Sequence, residues 1–405
     1  MVVDDRPHRL AGAPWGVLDQ AISTGTNFLL TIVVVRSASL EDFGAFSLVY
    51  VIYIFALGLL RTSGGNVLTV AFAGDEERLA VASRSFLGYA LGCGGAIGGA
   101  AAVGSLAVGG TVRHALLALA VAMPLLMVQD ALRSIQFARG HPARAAETDA
   151  VWALVLVALL VPLVLAGESR PWVFLAAWGA GGAVAAGAAL ARARLRPARP
   201  SVLRWLRAQS RLVVPMVGAY ALSQFPPQLV YLCMPFVSDL HELGAVRAAY
   251  VLFGPMAVVF SGLSATALPA AVRAAGGPGV LLLTRRLSLV LALVAVGWGA
   301  AVVLAPDPLG VLVLGPSWEG TAAVRAFLAV SGLGEAVLVG AWVALSALQM
   351  PGRLVRVRLV TAPVQLVAGL VLSWRFGAVG TAAAFALANV LTAALAWRRV
   401  PRSSG

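Results

Sequence analysis

The chain has 405 residues, 60% of them apolar and only 12% charged. Soluble domains run near 45–50% apolar and about 25% charged, so a water-soluble fold has too few charges to cover this much apolar surface, and a bilayer is the expected solvent. The formal net charge of +13 does not describe a nucleic-acid surface, because the thirty basic residues, all arginines, are distributed between apolar runs rather than gathered in one stripe.

A crossing helix needs about 20 mostly apolar residues. Twelve such runs follow one another, at 15–35, 43–61, 85–108, 112–130, 149–167, 171–191, 212–235, 243–263, 283–304, 321–347, 359–374 and 377–397. The first contains Asp19, Gln20 and Asn27 and is too long and too polar for a cleaved leader. Segment 64–73 is too short to cross and is expected either to extend the second helix past Gly64 and Gly65 or to lie re-entrant. The third run carries Gly88, Gly92, Gly94, Gly95, Gly98 and Gly99, a spacing that permits close helix packing in lipid. Cys93 and Cys233 fall inside runs and read as small apolar residues, not as a disulfide framework.

Threading these runs with the N-terminus in the cytoplasm puts 24 arginines inside, from Arg6 and Arg9 to Arg398, Arg399 and Arg402. The outer loops keep Arg36, Arg113, Arg170, Arg247 and Arg375, with Arg325 near the outer end of the tenth run. This positive-inside bias predicts a multi-pass protein with both termini cytoplasmic. The lack of lysine, with the excess of Ala, Gly, Val and Arg, reads as the base composition of a GC-rich genome.

The longest inside link, 192–211, holds seven arginines with Pro197 and Pro200 and divides the chain into six runs (1–191) and six runs (212–405). Within it Val202, Leu203, Trp205 and Leu206 alternate with Arg204 and Arg207, the pattern of a short amphipathic helix on the inner leaflet or of a solvated linker. The halves are related by a shift of 200 residues: Leu40, Gly44, Ala45, Tyr50 and Val51 meet Leu240, Gly244, Ala245, Tyr250 and Val251. Six runs per half, each starting on the cytoplasmic side, make the repeats parallel, and transporters of that design hold substrate between their halves. The expected fold is therefore an all-α integral membrane protein, about twelve transmembrane helices in two pseudo-symmetric six-helix bundles around a central cavity.

The stretch WGVLDQAISTGTNFLLTIVVVRSASLEDFGAFSLVY, Trp15 to Tyr50, has a polar-tinged first run ending in arginine, then a short acidic loop and a Phe-Gly-x-Phe-Ser-Leu motif. It resembles the polysaccharide flippases of the multidrug/oligosaccharidyl-lipid/polysaccharide exporter superfamily, as do LGPSWEGTAAVRAFLAVSGL at 314–333 and FGAVGTAAAFALANVL at 376–391. The resemblance implies alternating access that carries an undecaprenyl-diphosphate-linked oligosaccharide from the cytoplasmic to the outer leaflet. The cavity would be lined mainly by the first two helices of each bundle.

A diphosphate head crossing the midplane needs fixed guanidinium groups and polar walls. Candidate anion contacts are Arg36, Arg61 and Arg247, against the simpler readings of interfacial anchor for Arg36 and Arg61, of pairing with Glu41 or Asp42 for Arg36, and of local ion pairing with Asp239 or Glu242 for Arg247. Arg325 is placed to pair with Glu319 or Asp307. Gln20, Thr24 and Asn27 in the first run, and Gln224, Gln228 and Tyr231 in the seventh, each form a stripe on one helical face. Each stripe either lines a hydrophilic cavity or makes interhelical hydrogen bonds. Pro226 and Pro227 are expected to kink the seventh helix into a hinge. Glu335, mid-run between Gly334 and Gly340, is the deepest acid and the candidate site for a coupling proton or sodium ion, against a simple hydrogen bond to a neighbouring helix.

Ion-coupled export of drugs or metabolites is the alternative within the same superfamily. A membrane-embedded polymerase or glycosyltransferase is a third reading. The short outer loops, the scattered His8, His114, His141 and His241 without metal-ligand spacing, and the lack of a phosphate-binding Gly-rich lysine motif argue against an enzyme and imply no cofactor. Expected partners are the lipid-linked glycan, membrane lipids and a coupling cation, with no nucleic acid.

Overall fold

The computed structural model describes residues 6–274 and 279–401, with side chains from residue 14 onward, and its regular elements are all helices. Arg402 lies outside the described residues. In chain order the first helices are α1 (Arg6–Ser37), α2 (Leu40–Phe72, with a π turn at Arg61–Gly65), α3 (Glu76–Gly104), α4 (Gly110–Ala138), α5 (Pro142–Leu165) and α6 (Pro171–Ala193). A short linker helix, α7 (Val202–Ala208), precedes α8 (Ser210–Val237), α9 (Leu240–Leu252), α10 (Gly254–Arg273) and α11 (Gly279–Val303). The last are α12 (Asp307–Leu314), α13 (Ala322–Ala347) and α14 (Pro351–Arg399).

Among the described residues, ten helices are long and apolar enough to cross a membrane. Two further crossings complete the twelve-helix, two-lobe layout. α14, at 49 residues, is two helices joined at Gly377, where φ 56° and ψ −133° cannot continue a right-handed helix. α8 has the length to span, but Gln224, Gln228 and four prolines lower its hydropathy; it remains one helix through Pro226 and Pro227. The chain is a multi-pass membrane protein. The first half of each lobe keeps the 200-residue offset in its boundaries: α1 ends at Ser37 and α8 at Val237, while α2 starts at Leu40 and α9 at Leu240.

Segment 64–73 extends the second helix. The π turn lets the N–H of Asn66 reach the carbonyl of Arg61, five residues back. One extra residue in a turn leaves carbonyls poorly served by the helix itself. The Ser63 carbonyl accepts a hydrogen bond from Trp205 Nε1 at 2.9 Å, and the Ser63 hydroxyl pairs with Tyr89 at 2.6 Å. Trp205, 4% exposed, packs between Phe86 and Tyr89 at ring distances of 5.5 and 5.8 Å. The linker is thus formed as a helix and is bolted to α3 rather than trailing in solvent, and the N–H of Ala198 donates to the Arg84 carbonyl at 2.9 Å.

By internal packing the chain forms two compact units, one of residues up to Ala38 with Leu48–Tyr220, the other of Ser39–Ser47 with the chain from Ala221 onward. Within the first, Trp178 sits at the centre of the aromatic core, 4.6 Å from Tyr53 and 5.4 Å from Trp152. Within the second, Gly44 and Gly244 mark a close crossing: a Cβ on Gly44 would strike the Leu240 carbonyl, and one on Gly244 the Leu40 carbonyl. This reciprocal contact uses the same pair of positions that the sequence repeat aligned. Forcing bulk into such a contact costs about 1–3 kcal/mol or more. Gly44→Leu or Gly244→Leu should therefore lower the unfolding temperature of the detergent-solubilised protein. Gly187→Leu, where added atoms meet open space, should not. Equal effects from all three would remove the crossing from the account.

Candidate functional site

The second unit encloses a cavity of about 510 Å³ between α8, α9, α13 and α14. That volume is in the range of small-molecule sites, about 300–1,000 Å³. Its polar wall is the stripe on α8: Gln224, Gln228 and Tyr231 all line it, because residues separated by about one helical turn share a face. Arg247 of α9 enters from the neighbouring helix, with its guanidinium 5.3 Å from the Tyr231 ring centre. Tyr231 is held edge-on by Phe385 at 5.3 Å, so the platform under Arg247 is fixed by packing. The Nε of Arg247 is buried and has no hydrogen-bond partner. A guanidinium N–H shielded from water and unpaired is costly to maintain, and an anion supplies what it lacks.

Glu335 of α13 lines the same cavity and is exposed to it. Arg358, on the first half of α14, is the charge that acts on it, yet the two make no direct ion pair among the described contacts. Asn389 reaches back to α13 through its amide nitrogen to Ser331 Oγ at 2.9 Å. Two arginines face one carboxylate, which leaves the wall positive, with amides and aromatic rings beside the charges.

Asp239 and Glu242 do not pair with Arg247. Asp239 caps α9 by accepting from the N–H of Glu242 at 2.7 Å, and Glu242 accepts from the N–H of Ala378, capping the helix that restarts after Gly377. Arg325 pairs with neither Glu319 nor Asp307: it stacks on Trp318 at 3.7 Å, and Trp318 Nε1 donates to Asp307 at 2.8 Å.

The first unit holds a different constellation. Asp19 on α1 is wholly buried and accepts from Arg133 on α4, through Nε at 2.9 Å and through a terminal nitrogen. Arg133 Nε also lies 3.4 Å from Asp149 of α5, whose other oxygen accepts from Gln129 at 2.7 Å. Asp130, one turn before Arg133, is held by Arg61 of the π turn in two bonds of 2.9 and 2.6 Å. Three carboxylates thus face two guanidinium groups, and one oxygen of each carboxylate has no hydrogen-bond donor. In a segment packed away from water that imbalance of one charge is what a proton or a small cation would cancel.

The sequence-derived candidates therefore separate. Gln224, Gln228, Tyr231, Arg247 and Glu335 come together in one cavity. Gln20 and Thr24 hydrogen-bond to each other at 3.1 Å beside Arg133, and the Asn27 side-chain Oδ1 accepts from Trp178 Nε1 at 3.3 Å. Within the α1 stripe, Gln20 and Asn27 thus bond to neighbouring helices, while Thr24 bonds within α1. Arg61 is tied to Asp130, with 38% of its side chain exposed. Arg36 is exposed at the end of α1 and lines neither constellation. Sequence reasoning passed over Arg133, Asp149, Arg358 and Asn389; the first two sit near helix ends, where a charge has many ordinary explanations.

No family model and no curated protein matches the chain. Solved structures do. An inward-facing multidrug resistance MATE family transporter of the MOP superfamily superposes with a TM-score of 0.73 at 13% identity, over 95% of this chain and 96% of that one. The lipid II flippase MurJ, in an inward closed conformation, gives 0.68 at 10% identity over 95% and 87%. A MOP superfamily transporter from Pyrococcus furiosus gives 0.64 at 12% identity over 96% and 94%. At these identities the likeness is one of fold: this chain is built on the helical architecture of MOP superfamily transporters.

Proposed function

We propose that this protein is a transporter that moves a lipid-linked, diphosphate-bearing sugar from the cytoplasmic to the outer leaflet of a bacterial plasma membrane by alternating access. The undecaprenyl-diphosphate class is the substrate class named by the resemblance of its first fifty residues. The observation that carries the reading is the buried, unpaired Nε of Arg247 beside Arg358 in a cavity walled by amides and aromatic rings. Guanidinium groups replace the hydration of a phosphate, amides replace that of sugar hydroxyls, and the exposed Trp342 offers a face on which a sugar ring can rest. Similarity in fold to a lipid II flippase supports the same direction.

The test is reconstitution of the purified chain in vesicles carrying a fluorescent polyprenyl-diphosphate sugar in one leaflet. Faster appearance in the other leaflet than in protein-free vesicles is the expected result. A second reading, export of small molecules, is favoured by Glu335, an acid in the same cavity, and by similarity in fold to a MATE transporter. Vesicles that accumulate a labelled cationic dye while leaving the lipid-linked sugar in place would replace the first reading with the second.

For coupling, two acidic sites stand in the chain: Glu335 in the cavity, and Asp19, Asp130 and Asp149 in the first unit. Arg358 offsets Glu335, whereas the three aspartates outnumber their arginines. The coupling cation is therefore assigned to the aspartate network. Asp149→Asn should make transport independent of an imposed proton or sodium gradient while leaving substrate affinity within about twofold. If Glu335→Gln abolishes the gradient dependence instead, the coupling site is in the cavity.

A further inference from the structure

A second cavity of about 510 Å³ lies in the first unit, between the start of α3 and the linker helix α7, and transport as proposed does not use it. Arg78, Arg199 and Arg204 line it against one acid, Glu77. Arg199 and Arg204 are exposed, and neither makes an ion pair among the described residues; Arg78 has only Asp75, at 4.0 Å. The apolar part of the wall is Phe72, Val81 and the rigidly held Trp205, with Ser85, Ser201 and Gln209 as its uncharged polar groups. Beside it, Val81 and Leu203 are 68% and 63% exposed, large apolar side chains turned away from the protein.

The depth of this cleft follows from helix length. α3 has 29 residues, about 44 Å at 1.5 Å per residue, against about 30 Å of bilayer hydrocarbon. Roughly nine residues of such a helix must lie beyond the hydrocarbon, and Glu77, Arg78 and Val81 fall in its first two turns. The cleft therefore sits at head-group level on the arginine-rich side. A soluble phosphate would not need the apolar wall, and a neutral amphiphile would not need three arginines.

We propose that this cleft binds the phosphate head of an anionic glycerophospholipid between Arg199 and Arg204, with its acyl chains along Val81 and Leu203. Such a lipid adds a contact between the linker helix and α3 beside the one already made by Trp205.

The test is native mass spectrometry of the full chain, delipidated and titrated with phosphatidylglycerol, with phosphatidylcholine of the same acyl chains, or with inorganic phosphate. At about 1 kcal/mol per arginine near a membrane surface, the two free arginines give roughly a tenfold to thirtyfold preference for the first bound phosphatidylglycerol over phosphatidylcholine. Arg199→Gln with Arg204→Gln should reduce that preference to within about twofold. Both side chains are exposed, so helix content and unfolding temperature should be unchanged and report on correct folding. Arg113→Gln with Arg375→Gln, also exposed, should leave the preference intact. An undiminished preference in the Arg199/Arg204 variant overturns the site. Arginine-dependent binding of inorganic phosphate without lipid selectivity makes the occupant a soluble phosphate and overturns the lipid assignment.

Discussion

Arg247→Ala is expected to lower the affinity for the lipid-linked substrate by roughly 30-fold to 150-fold, since a charge-assisted contact to a phosphate is worth about 2–3 kcal/mol. The same substitution should leave the unfolding temperature close to that of the unsubstituted chain, because the lost contact with the Tyr231 ring is set against the removal of an unmet hydrogen-bonding demand. That demand is the Nε of Arg247, buried without a partner. This opposed pair of outcomes separates a binding group from a structural one, because a structural arginine loses stability when it is truncated. Arg247→Lys should recover only part of the affinity, for an ammonium is a point charge without the planar fork. Substrate titration of the transport rate in vesicles, with unfolding curves on the same preparations, checks both arms. A stable variant with unchanged affinity would remove Arg247, and with it the anionic cargo, from the proposal.

The second large effect falls on stability. Arg133→Ala strands Asp19, which is wholly buried, and leaves Asp149 with only Gln129 as a donor. Removing one partner of a buried ion pair typically costs about 3–5 kcal/mol, because the remaining charge has lost both water and counter-charge. Unfolding of the solubilised protein, followed by scanning fluorimetry, should show the variant strongly destabilised. Combining it with Asp19→Asn should restore part of the loss. Restoration is the informative arm: a substitution that merely opened a cavity would not be rescued by neutralising an acid 114 residues away. If the two losses add, the network is not a coupled unit.

These two sites differ in how they are visible in the chain. The stripe Gln224, Gln228 and Tyr231 is legible because helical periodicity is local, and those side chains line a cavity formed within the second unit. The stripe Gln20, Thr24 and Asn27 has the same spacing but different surroundings, since Gln20 and Asn27 find partners on α4 and α6. Arg61 reads as a membrane-edge arginine from its position, but its partner Asp130 is 69 residues away, and no local pattern joins them. Trp205 reads as one apolar position of an amphipathic helix, yet it is the plug on the π turn 142 residues earlier.

The sequence by itself determined the solvent, the number of crossings and the 200-residue offset between α1–α2 and α8–α9, whereas the boundary between the compact units, at Tyr220 and Ala221 and not at the arginine-rich link, came from packing. The first three follow from residue type summed over a window or from a fixed offset, and lipid permits few backbone forms. Only the tertiary structure decided which polar groups are spent on one another and which remain to meet a ligand. That choice depends on which helices become neighbours and on the rotation of each about its axis, set by small-residue contacts such as Gly44 against Gly244. Composition and spacing do not encode it, so of two stripes with the same spacing one gives Gln20 and Asn27 to neighbouring helices and the other walls a cavity.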